Sequence, residues 1–370
     1  MSALFSPLRL RALTLPNRVV VSPMCQYSAV DGCAQPWHTV HLGQLALGGT
    51  GLLIVEATAV EPVGRITPGC LGLYDDATER AMAELVRTLR QVSPTPLALQ
   101  IGHAGRKGSS GRPWDGGQLI PETAGGWRPV GPSALPHLES ETPPHALTAD
   151  DLAALRARFV DTTLRADRAG FDALELHAAH GYLLHQFLSP LANQRTDAYG
   201  GSLENRMRFP LEVFAAVRAA WPVHKPLGVR ISATDWVDGG WDLDGSKALA
   251  AALERLGCDW IDVSSGGVSP RQKIAIGPGY QVPFAEAIRA TVKMPVMAVG
   301  LITEPQQAED IVAQGKADLV ALARGLLLDP RWAWRAAAAL GATVQGPRQY
   351  WRSQSALSRN VFGETTFGQR

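Results

Sequence analysis

The chain has 370 residues, 46% hydrophobic and 19% charged, enough apolar material for one large domain or two ordinary ones. Its 35 basic and 34 acidic residues leave a net charge of +1, with no electrostatic footprint for nucleic acid or an anionic membrane, and no apolar run approaches the ~20 residues that span a bilayer. The first residues lack the charged-then-apolar order of a signal peptide, and Cys25, Cys33, Cys70 and Cys258 are scattered without a Cys-x-x-Cys pair, so a cytoplasmic protein without a disulfide framework or iron–sulfur cluster is expected.

Short apolar runs at 19–22, 51–55, 97–101, 173–177, 227–231, 260–264, 296–299 and 319–323 read as buried strands. Helical patterns follow them at 38–47, 78–91, 148–169, 203–220, 245–256, 283–292, 304–314 and 330–340. This strand-then-helix rhythm predicts an α/β fold, a single-domain (β/α)8 TIM barrel. The chain exceeds the ~250 residues usual for that barrel. The surplus falls in residues 105–146, rich in Gly, Pro, Ser and Trp, which predicts an elaborated loop after the third strand that covers the barrel mouth. Residues 1–352 are expected to form the barrel, and 353–370 a C-terminal extension at a subunit interface. A doubly wound sheet is disfavoured, because no Gly-x-Gly-x-x-Gly follows the first strand.

In a barrel enzyme the chemistry collects at the C-terminal strand ends. Here those ends carry Cys25 and Tyr27, then Glu56-Ala57-Thr58, Gln100 and His103, and His177, His180 and Tyr182. Arg230, Ser264-Ser-Gly-Gly, Gly300 and Ala323-Arg324-Gly325 complete the circuit. Small residues after the last two strands suit a phosphate, with Arg324 as its counter-charge. His177 and His180 suit a pair of donors aimed at a substrate oxygen, beside the phenol of Tyr182. A zinc site is the competing reading; it needs a third ligand, for which Glu175 is the candidate. Arg230 has a plainer reading as the ion-pair partner of Asp235 or Glu175. Cys25 reads equally as a buried thiol, and Arg195, Asp197, Glu204 and Arg206 as a salt-bridged brace. Trp114, Trp127 and Trp236 either line the cover or pack within it.

The run Ser189-Pro-Leu-Ala-Asn193-x-Arg195-x-Asp197-x-Tyr199-Gly-Gly-Ser-Leu-Glu204-Asn205-Arg206 resembles the old yellow enzyme family of FMN-dependent ene-reductases. Asn17-Arg18, Gln100-Ile-Gly-His103-Ala-Gly-Arg106, Val229-Arg230-Ile-Ser and Gly279-Tyr-Gln support it. The resemblance extends from about Asn17 to Arg352 and is strongest to the family's thermophilic-like, xenobiotic-reductase branch.

The resemblance implies tightly bound FMN, with NADPH or NADH as reductant. Pro23, Met24, Cys25 and Ala57 would line the flavin ring, and Gln100 and Arg230 its pyrimidine edge. Ser264, Gly300, Ala323 and Arg324 would follow its ribityl–phosphate end. His177 and His180 would hold a substrate carbonyl, Tyr182 would donate a proton, and Tyr27 would bind substrate. Cys25 would tune the flavin's redox behaviour. Gln349-Tyr350-Trp351-Arg352 is similar to a C-terminal motif whose arginine enters a neighbouring active site, implying a homodimer or a homotetramer built from dimers. Trp351 and the 18 residues beyond Arg352 depart from that pattern. The activity implied is NAD(P)H-dependent reduction of an enone double bond, without a metal. Quinones and nitro compounds fit the same flavin site. A tRNA-reducing flavin barrel would need a basic surface, a dienoyl-CoA reductase would need cluster cysteines and a second nucleotide domain, and a flavin carrier would bind FMN without enone turnover.

Overall fold

The strands Val19–Val21, Leu52–Ala59, Leu97–Gly102, Ala173–Ala178, Leu227–Ser232, Trp260–Ser264, Val296–Ala298 and Leu319–Leu322 pair in parallel, each with the next, and the last returns to the first. The computed structural model, which describes residues 1–354 and 360–365, is thus a closed (β/α)8 barrel. The strands are buried and mostly apolar because helices cover their outer faces and side chains fill the inside. All the expected helices form, as Pro36–Ala46, Asp76–Val92, Ala149–Ala169, Leu203–Ala220, Leu243–Arg255, Val282–Arg289, Pro305–Ala313 and Trp332–Ala339. Side-chain oxygens of Asp75, Thr148, Ser202 and Asp242 accept backbone N–H bonds at four of their starts.

Two of the elements beyond the expectation shape the two ends of the barrel. An antiparallel hairpin, Leu8–Leu10 with Leu13–Leu15, closes the bottom of the barrel. Leu10 and Leu15 pack there against Val20, Leu52, Ile54, Ala98, Met297 and Leu319. A short helix, Leu183–Leu188, follows the fourth strand before its main helix and lies buried at the mouth.

Charged and polar side chains fill the middle of the barrel. Trp260 lies across Gly228, where a Cβ would sit 2.0 Å from the indole, and donates from Nε1 to Glu175 at 3.1 Å. Gln100 donates to the other Glu175 oxygen at 2.8 Å. The register of the second strand shifts between Val55 and Thr58, a bulge that turns Glu56 toward the loop after the first strand. There Glu56 accepts the Gln26 N–H at 3.0 Å, and His38 stands 3.5 Å behind it.

The long loop runs through 3-10 turns and a two-residue pairing of Val130–Gly131 with His145–Ala146. Trp114 meets Tyr27 edge-on at 5.6 Å, Trp127 donates to Val63, and Trp236 packs on Phe284. Arg195 forms an ion pair with Asp197, whereas Arg206 bonds the carbonyls of Leu188 and Gly201 instead of a carboxylate. Of the C-terminal extension, residues 355–359 and 366–370 lie outside the described residues; Val361 is buried beside Ala337 and Val344.

Candidate active site

The fourth strand delivers three rings to the barrel mouth. His177 faces Tyr182 at 4.9 Å and His180 at 5.2 Å, each pair edge to face. Gly102 makes room for the first, since a Cβ there would come within 2.9 Å of the His177 Cβ. The chain turns sharply at His180, whose φ is +58°, and Tyr182 caps the start of Leu183–Leu188. His177 Nδ1 accepts the Ala179 N–H at 3.3 Å, so its proton sits on Nε2, which is left to donate. His180 Nε2 lies 2.7 Å from the Ser264 hydroxyl.

Burial first, then the charge of Arg230, holds both imidazoles well below their ordinary pKa. They are neutral, single-proton donors at physiological pH. Burial, reinforced by Cys25, Tyr27 and Cys70, holds the Tyr182 phenol well above its ordinary value, so it keeps its proton. Ala57, Thr58, Cys70, His103, His177 and Tyr182 line one small cavity at this mouth.

A buried pair braces the turn from below. His185 Nε2 stands 2.9 Å from Asp235, Gly181 donates to His185 Nδ1 at 2.9 Å, and Ser189 donates to Asp235 at 2.6 Å. His185 lies inside the conspicuous motif region, but its partner is 50 residues away; the sequence did not single out His185 and offered Asp235 only as a partner for Arg230.

The residues expected around a flavin surround the same mouth. Pro23, Met24 and Cys25 follow the first strand, half-buried, and the Cys25 thiol hydrogen-bonds that of Cys70. Gln100 and Arg230 lie inside on neighbouring sides of Glu175 and His177. Arg230 is not paired with Asp235 or Glu175: its Nε faces Asp262 at 3.1 Å, and Nη1 donates to Ser22 at 2.9 Å. The register explains this, because Arg230 and Asp262 are direct cross-strand neighbours. Ser264 lies on His180, and Gln281 gathers the hydroxyls of Ser264 at 3.3 Å and Ser265 at 2.6 Å. Gln281 is the third residue of Gly279-Tyr-Gln, a signal whose role the sequence did not reveal. Gly300 has φ +117°, and a Cβ on it would meet Gln281 at 2.7 Å, so only glycine fits. Ala323 and Arg324 sit where the last strand turns into Arg324–Leu328, with Arg324 exposed.

This set fits FMN. Arg230 is buried yet its Nη2 makes no hydrogen bond to the described residues, and Arg324 is exposed where an anion can meet it. No cluster of three His, Cys, Asp or Glu able to hold a metal occurs among the described residues; Glu175 is engaged by Gln100 and Trp260.

Arg352 lies elsewhere. The segment Arg348–Ser353 lies on the N-terminal face of the barrel, where Trp351 and Arg348 line a wide cleft with Asn17 and Ser93–Thr95. That cleft carries none of the predicted chemistry.

Residues 3–342 match the NADH:flavin oxidoreductase / NADH oxidase family. The chain belongs to this family. It is 44% identical over 348 residues to an NADPH dehydrogenase of Geobacillus thermodenitrificans, covering 94% of this chain and 97% of that one. An NADPH dehydrogenase of Listeria monocytogenes is 42% identical, with 94% and 98% covered. The structure of morphinone reductase superposes with a TM-score of 0.76 at 30% identity, over 94% of this chain and 91% of that one. The family member described here is therefore a flavin oxidoreductase that uses FMN and NAD(P)H. No helix among its described residues is long and apolar enough to cross a membrane.

Proposed function

We propose that this family member reduces the carbon–carbon double bond of α,β-unsaturated carbonyl compounds, with NADPH or NADH as reductant. The observation that carries the reading is the cluster of two neutral imidazoles and a protonated phenol at one mouth, with ring centroids about 5 Å apart. FMN, when bound, would supply the hydride for the β-carbon. The residues that would hold it are Pro23, Met24, Cys25 and Ala57 at the ring, Gln100 and Arg230 at the pyrimidine edge, and Ser264, Gly300, Ala323 and Arg324 toward the phosphate.

His177 and His180 donate to the carbonyl oxygen, where negative charge grows as the β-carbon is reduced. A neutral donor is well matched to that oxygen, because it needs no buried charge in the resting site and gains strength as the oxygen becomes an enolate. One such preorganised donor is worth about 3–4 kcal/mol of barrier. Tyr182 then gives its proton to the α-carbon, for which a phenol held protonated by burial is suited. Tyr27, edge-on to Trp114 and next to Gln26, whose N–H donates to Glu56, closes the substrate side. The described residues form one barrel with no separate dinucleotide domain among them, and on this reading nicotinamide and enone share the pocket in turn, with ping-pong kinetics. Morphinone reductase has been solved with tetrahydroNAD, which supports nicotinamide binding on such a barrel. We further infer a cytoplasmic enzyme whose domain spans 1–352. Arg352, on the far face, is suited to a neighbouring subunit in a dimer or a tetramer built from dimers.

The test is an absorption spectrum of the purified protein, taken before and after anaerobic NADPH and then with 2-cyclohexenone. Bleaching by NADPH and recovery of colour with the enone is the expected result. Bleaching without recovery would remove the enone reading and move the search to quinones and nitro compounds. In Tyr182→Phe the recovery should slow far more than the bleaching; equal loss in both steps would sink the proton-donor role.

A further inference from the structure

Lys107 follows the third strand in the 3-10 turn Gly105–Lys107, where the long loop begins. Its ammonium donates to the backbone oxygens of His180 at 2.9 Å and Gly267 at 3.0 Å. It also lies 5.1 Å from the centre of the Tyr182 ring. One cation thus joins the loops after the third, fourth and sixth strands. Both carbonyls belong to left-handed turns, with φ of +58° at His180 and +97° at Gly267. These turns touch, since a Cβ on Gly267 would meet the His180 backbone at 2.5 Å. Two charge-assisted bonds across that contact fix how His180 and Tyr182 project.

We propose that Lys107 is a positioning residue for the proton-transfer step, clamping the His180 and Gly267 turns while its charge offsets the negative charge left on Tyr182. The proposal rests on Tyr182 as proton donor. In that step the Tyr182 O–H bond breaks, a C–H bond forms at the substrate α-carbon, and the phenolate regains a proton from solvent. Lys107 keeps its own proton throughout. A phenolate at this mouth is disfavoured by burial and by Cys25, Tyr27 and Cys70. Arg106 does not serve in place of Lys107, because its guanidinium is spent on the carbonyls of Val268, Leu135 and Pro136.

The ionisable groups around Lys107 are Arg106, Glu141, His137, His177, His180 and Tyr182. Burial first, then Arg106, pulls Lys107 down to about 8, with Glu141 opposing. The clamp therefore loses its charge in mildly alkaline solution.

The experiment measures both half-reactions of the FMN-loaded enzyme by stopped flow between pH 6 and pH 10. Wild type is compared with Lys107→Met, Lys107→Arg and Tyr182→Phe. Lys107→Met should slow reoxidation by 2-cyclohexenone about tenfold, equal to ~1.4 kcal/mol of barrier, and slow reduction by NADPH much less. The wild-type fall in reoxidation rate near pH 8 should vanish in Lys107→Met, and in Lys107→Arg should move to higher pH with the rate largely restored. Equal slowing of both half-reactions in Lys107→Met would overturn the inference, and so would a break that stays near pH 8 in Lys107→Arg. If Tyr182→Phe slows reoxidation and Lys107→Met does not, Lys107 alone loses its role. If Tyr182→Phe leaves reoxidation unchanged, the underlying reading of Tyr182 falls.

Discussion

The Ser264 hydroxyl stands 2.7 Å from His180 Nε2, and it determines which imidazole nitrogen is left to donate to a substrate. Ser264 has one proton and two acceptors in reach, Gln281 Oε1 at 3.3 Å, which also accepts from Ser265 at 2.6 Å, and His180 Nε2 at the much shorter 2.7 Å. Ser264 therefore turns its proton to Nε2, which leaves the His180 proton on Nδ1, free to donate. In Ser264→Ala that tautomer loses its support. Phenolic ligands should then bind roughly three- to tenfold more weakly, the worth of one neutral hydrogen bond. Ser264→Thr, which keeps the hydroxyl, should restore most of the affinity. Titration of the flavin spectrum with a phenol measures both, and equal affinity in wild type and Ser264→Ala would refute the arrangement.

Cys25 carries the next expectation. Its thiol is pushed well up, first by the hydrogen bond with Cys70 and then by burial, so it meets the cofactor site as a neutral S–H group. Cys25→Ala should shift the reduction potential of bound flavin by tens of millivolts, where about 30 mV corresponds to ~1.4 kcal/mol for a two-electron couple. Cys70→Ala, which removes only the partner, should shift it less. A dye-coupled redox titration reads both, and an unaltered potential in Cys25→Ala would return that thiol to a packing role.

The barrel was legible because each parallel strand is buried on both faces and reads as a largely apolar run, interrupted in 97–101 only by Gln100 and in 227–231 only by Arg230. The cluster of His177, His180 and Tyr182 was conspicuous because the three lie within six residues of one another, and the structure brings their rings together. What escaped were pairings that depend on register or on distant loops. Arg230 meets Asp262 because the fifth and sixth strands bring them side by side, a fact no local pattern contains. His185 with Asp235 and Lys107 with Tyr182 join loops far apart in the chain. The closing hairpin was missed although Leu8-Arg-Leu and Leu13-Thr-Leu alternate as strands do; at three residues each, they fell below the length that separates a strand from chance.

Glu175 gives a pH prediction. Burial, then the charge of Asp262, raises its carboxyl to about 8. An unfolded chain would titrate it near about 4.3. Between these values the folded chain holds a proton that the unfolded chain releases, so stability falls as pH rises through the window and the penalty is complete above about 8. Glu175→Gln removes the titration while keeping the shape and the acceptor for Trp260. The melting temperature of wild type relative to Glu175→Gln should therefore drop by several degrees between pH 5 and pH 8. Melting curves that run parallel across that range would show that Glu175 does not take up a proton on folding.

Arg230 has two roles that a double variant separates. Its pairing with Asp262 neutralises a fully buried carboxylate, and its Nη2, which makes no hydrogen bond to the described residues, is the group we propose for the flavin. Arg230→Met strands Asp262 without a cation, which typically costs about 3–5 kcal/mol. Its melting temperature should fall sharply even with FMN in excess. In Arg230→Met/Asp262→Leu no stranded charge remains, so much of the lost stability should return. Flavin affinity should not return with it, because the donor to the pyrimidine edge is still missing. Melting curves and FMN titrations on the two variants decide the matter. Recovery of both properties together would mean that Arg230 serves only to balance Asp262, and failure of stability to recover would mean that the ion pair is not what the barrel loses.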